Sequence, residues 1–333
     1  MTRAPRFLKL ALAALIGVGQ PLLATERITL MVGGIDKIIY LPVKLAEQLG
    51  YFEAEGLDVE LRSEWAGVHG VDMLLVGSVQ GVVGFYDHAV YMQSKGKAVM
   101  SVVQFAQAPG EVELVSTRVT QPIRSMADLK DCALGVTGLG SSTQFLSRYL
   151  ALSAGLKLNQ VSFVPVGTGD SFIEAMNKGT IRAGMTTEPT ASRMLSSGQA
   201  RVLVDLRTPE DTAKALGGPY PASCLYMQTA WVVRHKPEVQ KLVNALVKAL
   251  RYIQSHTSSD LASQVPKEFY AGDKATYIKA LTRSKPIFIP DGRMPEGGPA
   301  NVLRVLTRAE KALQGKTIDL ASTYTLEFVN AAK

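Results

Sequence analysis

Cysteine is almost missing from this chain: Cys132 and Cys224 are the two present, 92 positions apart, and neither belongs to a Cys-x-x-Cys pair. That spacing excludes a scaffold built on disulfides and leaves two separate buried thiols as the plain reading, with one bridge as the alternative an oxidising compartment would allow. Histidine is scarce too. His69, His88, His235 and His256 are dispersed with no His-x-x-x-His spacing, which argues against a metal centre. There is no Gly-x-Ser-x-Gly nucleophile elbow, and neither cysteine has a protease-like context. No apolar run reaches the roughly 20 residues of a membrane-spanning helix. The formal charge is +7, but the basic residues are scattered, so a nucleic-acid footprint is not supported.

What is present begins with Arg3, Arg6 and Lys9, an apolar stretch from Leu10 to Val18, and a small residue at Ala24. This is the pattern of a secretory leader over residues 1–24, cleaved after Ala24, and a Gram-negative periplasm is the expected compartment. The remaining 309 residues are enough for two lobes and carry a formal charge of +4 once the three leader cations are discounted.

Those residues repeat an organisation. Ile28–Val32 reads as a strand ending in Gly33-Gly34, followed by a helix to Gly50; Ala133–Thr137 reads as a strand ending in Gly138-Leu-Gly140, followed by a helix to Gly155, at a constant offset of 105. A second strand follows each helix, Leu57–Leu61 and Val161–Val166. The parallel continues through Gly84-Phe-Tyr86-Asp87-His88 and Gly184-Met-Thr-Thr-Glu188-Pro189, now offset by 100. Alternating short strands and helices imply an α/β protein of two lobes with largely parallel sheets. Glu111–Thr117 and Leu225–Val233 are the natural hinge strands. The expected division is 25–112 with 226–333 for the first lobe and 113–225 for the second. Helices at Glu238–Ser255 and Ala300–Leu313 are expected to complete the first lobe.

Ligands of such sheets bind beyond the carboxyl ends of the strands, where loops lead into helix N-termini. The turn at Gly138–Thr143 has that position, and its helix opens on Ser141, Ser142 and Thr143. Hydroxyls, free N–H groups and the helix dipole would meet an acceptor-rich group there. The turn lacks the third glycine of a dinucleotide fingerprint and the lysine of a P-loop. Candidate contacts are Gly140, Ser141, Ser142 and Thr143 from the second lobe and Tyr40 from the first. Trp65 and Tyr86 would stack on a planar body; Asp36, Asp87 and Glu188 would accept hydrogen bonds. Three acids against one base, Lys37, disfavour a bare anion and favour a solute with both donor and acceptor ends.

The residues Tyr40-Leu-Pro-Val-Lys-Leu-Ala-Glu-Gln-Leu-Gly-Tyr-Phe-Glu-Ala-Glu-Gly-Leu-Asp-Val-Glu-Leu61, Ile123-Arg-Ser-Met-Ala-Asp-Leu-Lys130 leading into Gly135-Val-Thr-Gly-Leu-Gly-Ser-Ser-Thr143, and Asp291-Gly-Arg-Met294 carry a resemblance. They resemble periplasmic solute-binding proteins of ABC importers, in the group for nitrate, sulfonates, taurine and thiamine-type pyrimidine precursors. The resemblance implies a two-lobed Venus-flytrap fold of type II with a hinge of two crossover strands. It further implies a monomer, without cofactor, that closes on one small solute and presents it to a membrane permease with its ATPase. A pyrimidine-like solute stands slightly ahead of a sulfonate. The alternative is a pyrimidine-precursor enzyme on the same fold, with Asp87 and Glu188 as an acid/base pair; the export signal weighs against it.

Overall fold

The computed structural model describes residues 1–2, 27–65 and 67–333, so the leader expected at 1–24 lies, beyond Thr2, outside the described residues. Two five-stranded sheets form the framework. The first contains β1 (Ile28–Val32), β2 (Val59–Ser63), β3 (Gly81–Phe85), β4 (Val99–Gln104) and β10 (Ser223–Gln228). The second contains β5 (Glu111–Ser116), β6 (Ala133–Val136), β7 (Ser162–Pro165), β8 (Ala183–Thr187) and β9 (Ala200–Leu206).

Their strand orders are β2-β1-β3-β10-β4 and β7-β6-β8-β5-β9, so the duplication read from the glycine spacing is a duplication of topology. β1 runs parallel to β2 and β3, and β6 parallel to β7 and β8. In each sheet the fourth strand, β10 or β5, runs against both neighbours. That strand has just arrived from the other lobe, which is why its amino end meets the carboxyl ends of the rest. The chain therefore crosses at 105–110 and 217–222. β5 pairs in the second sheet from Glu111 onward, and β10 in the first from Ser223 onward.

The central strands β1, β3, β5 and β8 are buried along their whole length, as expected for sheets covered on both faces. Lys236–Ser255 buries a helical stripe that includes Val239, Leu242, Val243, Leu246, Leu250 and Ile253 against the first lobe. The helix Gly298–Ala309 departs from expectation. It packs on both Asp87–Ser94 and Ser142–Ser153, and its Val302, Val305 and Leu306 join a core that runs from Met31 and Val82 to Leu134 and Phe145. It bridges the lobes because its apolar face is wide enough for both partners. Cys132 and Cys224 are separate buried thiols.

Candidate functional site

The carboxyl ends of both sheets face each other with the lobes shut. On the first wall, Gly34 takes a left-handed φ of +102°, and a Cβ there would lie 2.6 Å from Lys37 Cε. The missing side chain lets Lys37 fold back under its own loop, where it is 5% exposed. Its ammonium donates to the Gly33 carbonyl at 2.6 Å and the Trp65 carbonyl at 3.2 Å. Burial lowers its pKa to about 8, against the opposing pull of Asp36 and Glu111. The next residue, Ile38, donates its N–H across the cleft to the Glu188 carbonyl at 3.1 Å.

On the second wall, Gly140 turns the chain at φ +79° and Ser141 caps the helix Ser142–Ser153, accepting from the Gln144 N–H. The hydroxyls here are largely engaged. Ser141 Oγ donates to the Gly138 carbonyl at 2.6 Å, and Thr143 Oγ1 accepts from the Thr137 N–H at 3.0 Å. Ser142 Oγ reaches across the lobes to Asp87 Oδ1 at 2.9 Å, while Tyr220 from the crossing segment donates to Asp87 Oδ2 at 3.0 Å. His88 Nε2 lies 3.4 Å from the Gly140 carbonyl.

Between the walls a cavity of about 20 Å³ is lined by Lys37, Tyr40, His88, Glu111, Thr187 and the Ser141–Thr143 turn. It has room for about one water molecule. Several buried atoms around it have no hydrogen-bond partner among the described residues: Glu111 Oε2, Thr187 Oγ1 and His88 Nδ1, the last lying 3.9 Å from Asp87 Oδ1. Burial pushes the Glu111 carboxyl well above the usual range; Asp87 and Glu113 push the same way, and Lys37 opposes them. Asp87 is also raised by burial, restrained by His88 and by the hydroxyls of Ser142 and Tyr220. Larger grooves, of about 330 and 390 Å³, lie by Ser116, Arg118 and Arg182 at the opposite ends of these strands.

Below the cavity Glu113 is fully buried, accepts from Ser147 Oγ at 2.6 Å, and has its pKa raised to about 8 by burial. Between about pH 5 and that value the folded chain holds a proton that the unfolded chain loses. Stability is thus expected to fall as pH rises through this window, by at most about 1.4 kcal/mol per pH unit for this one proton. Urea midpoints across the window should show the slope, and Glu113→Gln should lose part of it; an unchanged slope in the variant would assign the proton elsewhere.

The ten expected contacts separate into groups. Tyr40, Ser141, Ser142 and Thr143 line the cavity, with Gly140 and Asp87 directly behind it. Glu188 does not: its carboxylate accepts from Arg207 Nη1 at 2.7 Å and caps the next helix through the Ser192 N–H at 2.9 Å. Tyr86 points to the back of the lobe, where its hydroxyl meets Thr323 Oγ1 and its ring stands edge-on to Tyr324. Trp65 is 47% exposed at the mouth, edge-on to His69, and contributes its carbonyl rather than its ring. Asp36 is exposed. Glu111, His88, Thr137, Thr187, Tyr220 and Lys37 are not among the contacts expected from sequence, although Glu111 opens an expected hinge strand and His88, Thr187 and Lys37 belong to loops expected at the cleft. Glu111 and Glu113 left a signal, as two acids alternating inside an otherwise apolar strand.

A family profile described as NMT1/THI5 like matches residues 39–258. This chain belongs to the NMT1/THI5-like family. The NMT1/THI5-like chain is 34% identical to a protein of solved structure from Bordetella bronchiseptica RB50, over 92% of this chain and 96% of that one, with a TM-score of 0.88. Its fold is shared with the alkanesulfonate-binding protein SsuA from Xanthomonas axonopodis pv. citri bound to MOPS, at 16% identity over 90% and 98% of the two chains and a TM-score of 0.66. It is shared also with the periplasmic nitrate-binding protein NrtA from Synechocystis PCC 6803, at 12% identity over 92% and 88% and a TM-score of 0.72. The NMT1/THI5-like chain thus has the two-lobed periplasmic-binding-protein fold. Among the described residues no helix is long and apolar enough to cross a membrane.

Proposed function

We propose that this chain is the extracytoplasmic solute-binding component of an ABC importer, exported to the periplasm by its leader. It captures a small polar organic solute between its lobes and delivers it, as a monomer, to a permease and its ATPase. The observation that carries this reading is the set of polar contacts that exist only when the lobes meet: Ser142 to Asp87, Ile38 N–H to the Glu188 carbonyl, and His88 beside the Gly140 carbonyl. A solute that adds bridging contacts of its own to these stabilises a nearly shut arrangement, and its differential affinity for open and shut states drives the shift.

The cavity suits a solute with both donor and acceptor atoms. Asp87 is held by the Ser142 and Tyr220 hydroxyls, and the cation facing Glu111, Lys37, already spends two of its three N–H bonds on carbonyls. A heterocycle of the pyrimidine type fits that mixture better than a sulfonate, because a free sulfonate would face two buried carboxyl groups. Any such solute exceeds about 20 Å³, so it must enter before the lobes meet and hold them slightly further apart than here.

A thermal-shift panel of small polar solutes tests the reading. A matching solute at a hundred times its Kd should add roughly 2.7 kcal/mol of stability. Ser142→Trp should abolish that rise, because the ring occupies the space where the lobes meet and removes the hydroxyl bound to Asp87. Absence of a shift with every solute in the wild-type chain, or a full shift in the variant, would refute the assignment of this cleft.

A further inference from the structure

Glu111 opens β5 directly after the first crossing, at the edge of the cavity, is 2% exposed, and has Oε2 unpartnered among the described residues. The groups facing it come from every side. Lys37, from the loop after β1, is the cation within reach, yet its ammonium is directed to the Gly33 and Trp65 carbonyls and makes no ion pair with Glu111. Asp87 and His88 open the helix Asp87–Ser94, and Asp87 adds negative charge. Tyr40 and Tyr220 are buried phenols, and Glu113 is a second buried acid on the same strand. The adjoining Glu188 and Arg207 are paired with each other. A carboxylate whose buried Oε2 has no donor and no ion pair among the described residues, with two acids nearby and room for about one water beside it, loses most of its hydration shell when the lobes meet.

We propose that Glu111 enters the shut cleft as a neutral carboxylic acid, taking one proton from solvent as the lobes meet and offering that proton to an acceptor atom of the solute. This rests on the solute-binding reading above and assigns to Glu111 a role in choosing the solute. With the cleft open and wet, the group ionises. Opening therefore returns the proton to solvent, and the shut population should fall tenfold per pH unit above the midpoint of the coupled transition. A solute with an oxygen or unprotonated ring nitrogen at this position is accepted, since the carboxyl O–H donates to it.

The test uses the mature chain with no solute added, carrying glutamate labelled with 13C at Cδ. The resonance missing from Glu111→Gln identifies Glu111, and its titration is followed alongside the radius of gyration from X-ray scattering between about pH 5 and pH 9. The expected result is that both change together, at a pH above the ordinary glutamate range, with the compact form on the acid side. Glu111→Gln should stay compact throughout, and Glu113→Gln should keep the wild-type transition. An ordinary Glu111 titration, or a change in radius that survives in Glu111→Gln, would overturn the proposal. Failure of the solute-binding reading has a different signature: no solute raises the melting temperature, whatever the state of Glu111.

Discussion

Arg207→Ala is expected to destabilise the folded chain by roughly 3–5 kcal/mol, the range for stripping one partner from a buried ion pair. The guanidinium is 3% exposed and holds two carboxylates at once: Nη1 donates to Glu188 Oε1 at 2.7 Å, while Nε and Nη2 donate to the two oxygens of Asp205 at 2.9 and 2.7 Å. Without it the fully buried Glu188 retains the Ser192 N–H and no cation within the network. Asp205 keeps Arg283 at 2.6 Å, so the loss falls mainly on Glu188. Arg207→Lys should recover only part of the stability, because a point charge cannot reproduce the planar fork that serves both acids. Urea unfolding at constant m reads the difference. A loss below about 1 kcal/mol, the scale of an exposed pair, would show that Glu188 does not depend on this partner.

Asp87→Ala is expected to weaken solute binding by roughly 10- to 100-fold. Its two hydrogen bonds, from Ser142 and Tyr220, are of the charge-assisted kind worth about 1.5–3 kcal/mol each. The Ser142 bond joins one lobe to the other, so its loss penalises the shut state and appears in affinity. Tyr220 belongs to the crossing segment, and its orphaned hydroxyl should lower overall stability instead. Calorimetric titration with a solute that raises the melting temperature separates the two. Asp87→Asn keeps an acceptor and should fall between the parent and the alanine variant; equal affinity in all three proteins would remove Asp87 from the closing contacts.

The strands and turns were legible where local chemistry decides them. Ile28–Val32 is apolar but for Thr29 and forms β1 over those residues, and Ser141 caps the helix its hydroxyl foreshadowed. The site was legible only in part, because its selection among loop residues depends on partners far along the chain. Tyr86 turns away from the cleft to meet Thr323. Glu188 is taken by Arg207, brought beside it because β5 lies between β8 and β9 and sets their register. Lys37 would ordinarily extend into water; the bare Gly34 lets it fold inward, a cue present in the Gly33-Gly34 pair. The bridging role of Gly298–Ala309 has no local marker, since an apolar stripe does not state which surface it covers.

β3 and β4 share no ladder; β10 lies between them and bonds to both. The second sheet is drawn from one uninterrupted stretch, 111–206, whereas the first has an empty lane between β3 and β4 until Ser223–Gln228 arrives. A chain that emerges amino end first therefore presents the earlier lobe in a form that cannot close its sheet until the later one has fully emerged. Its unpaired strand edges stay open to wrong partners for that interval, and the lobe made second is the one equipped to fold first.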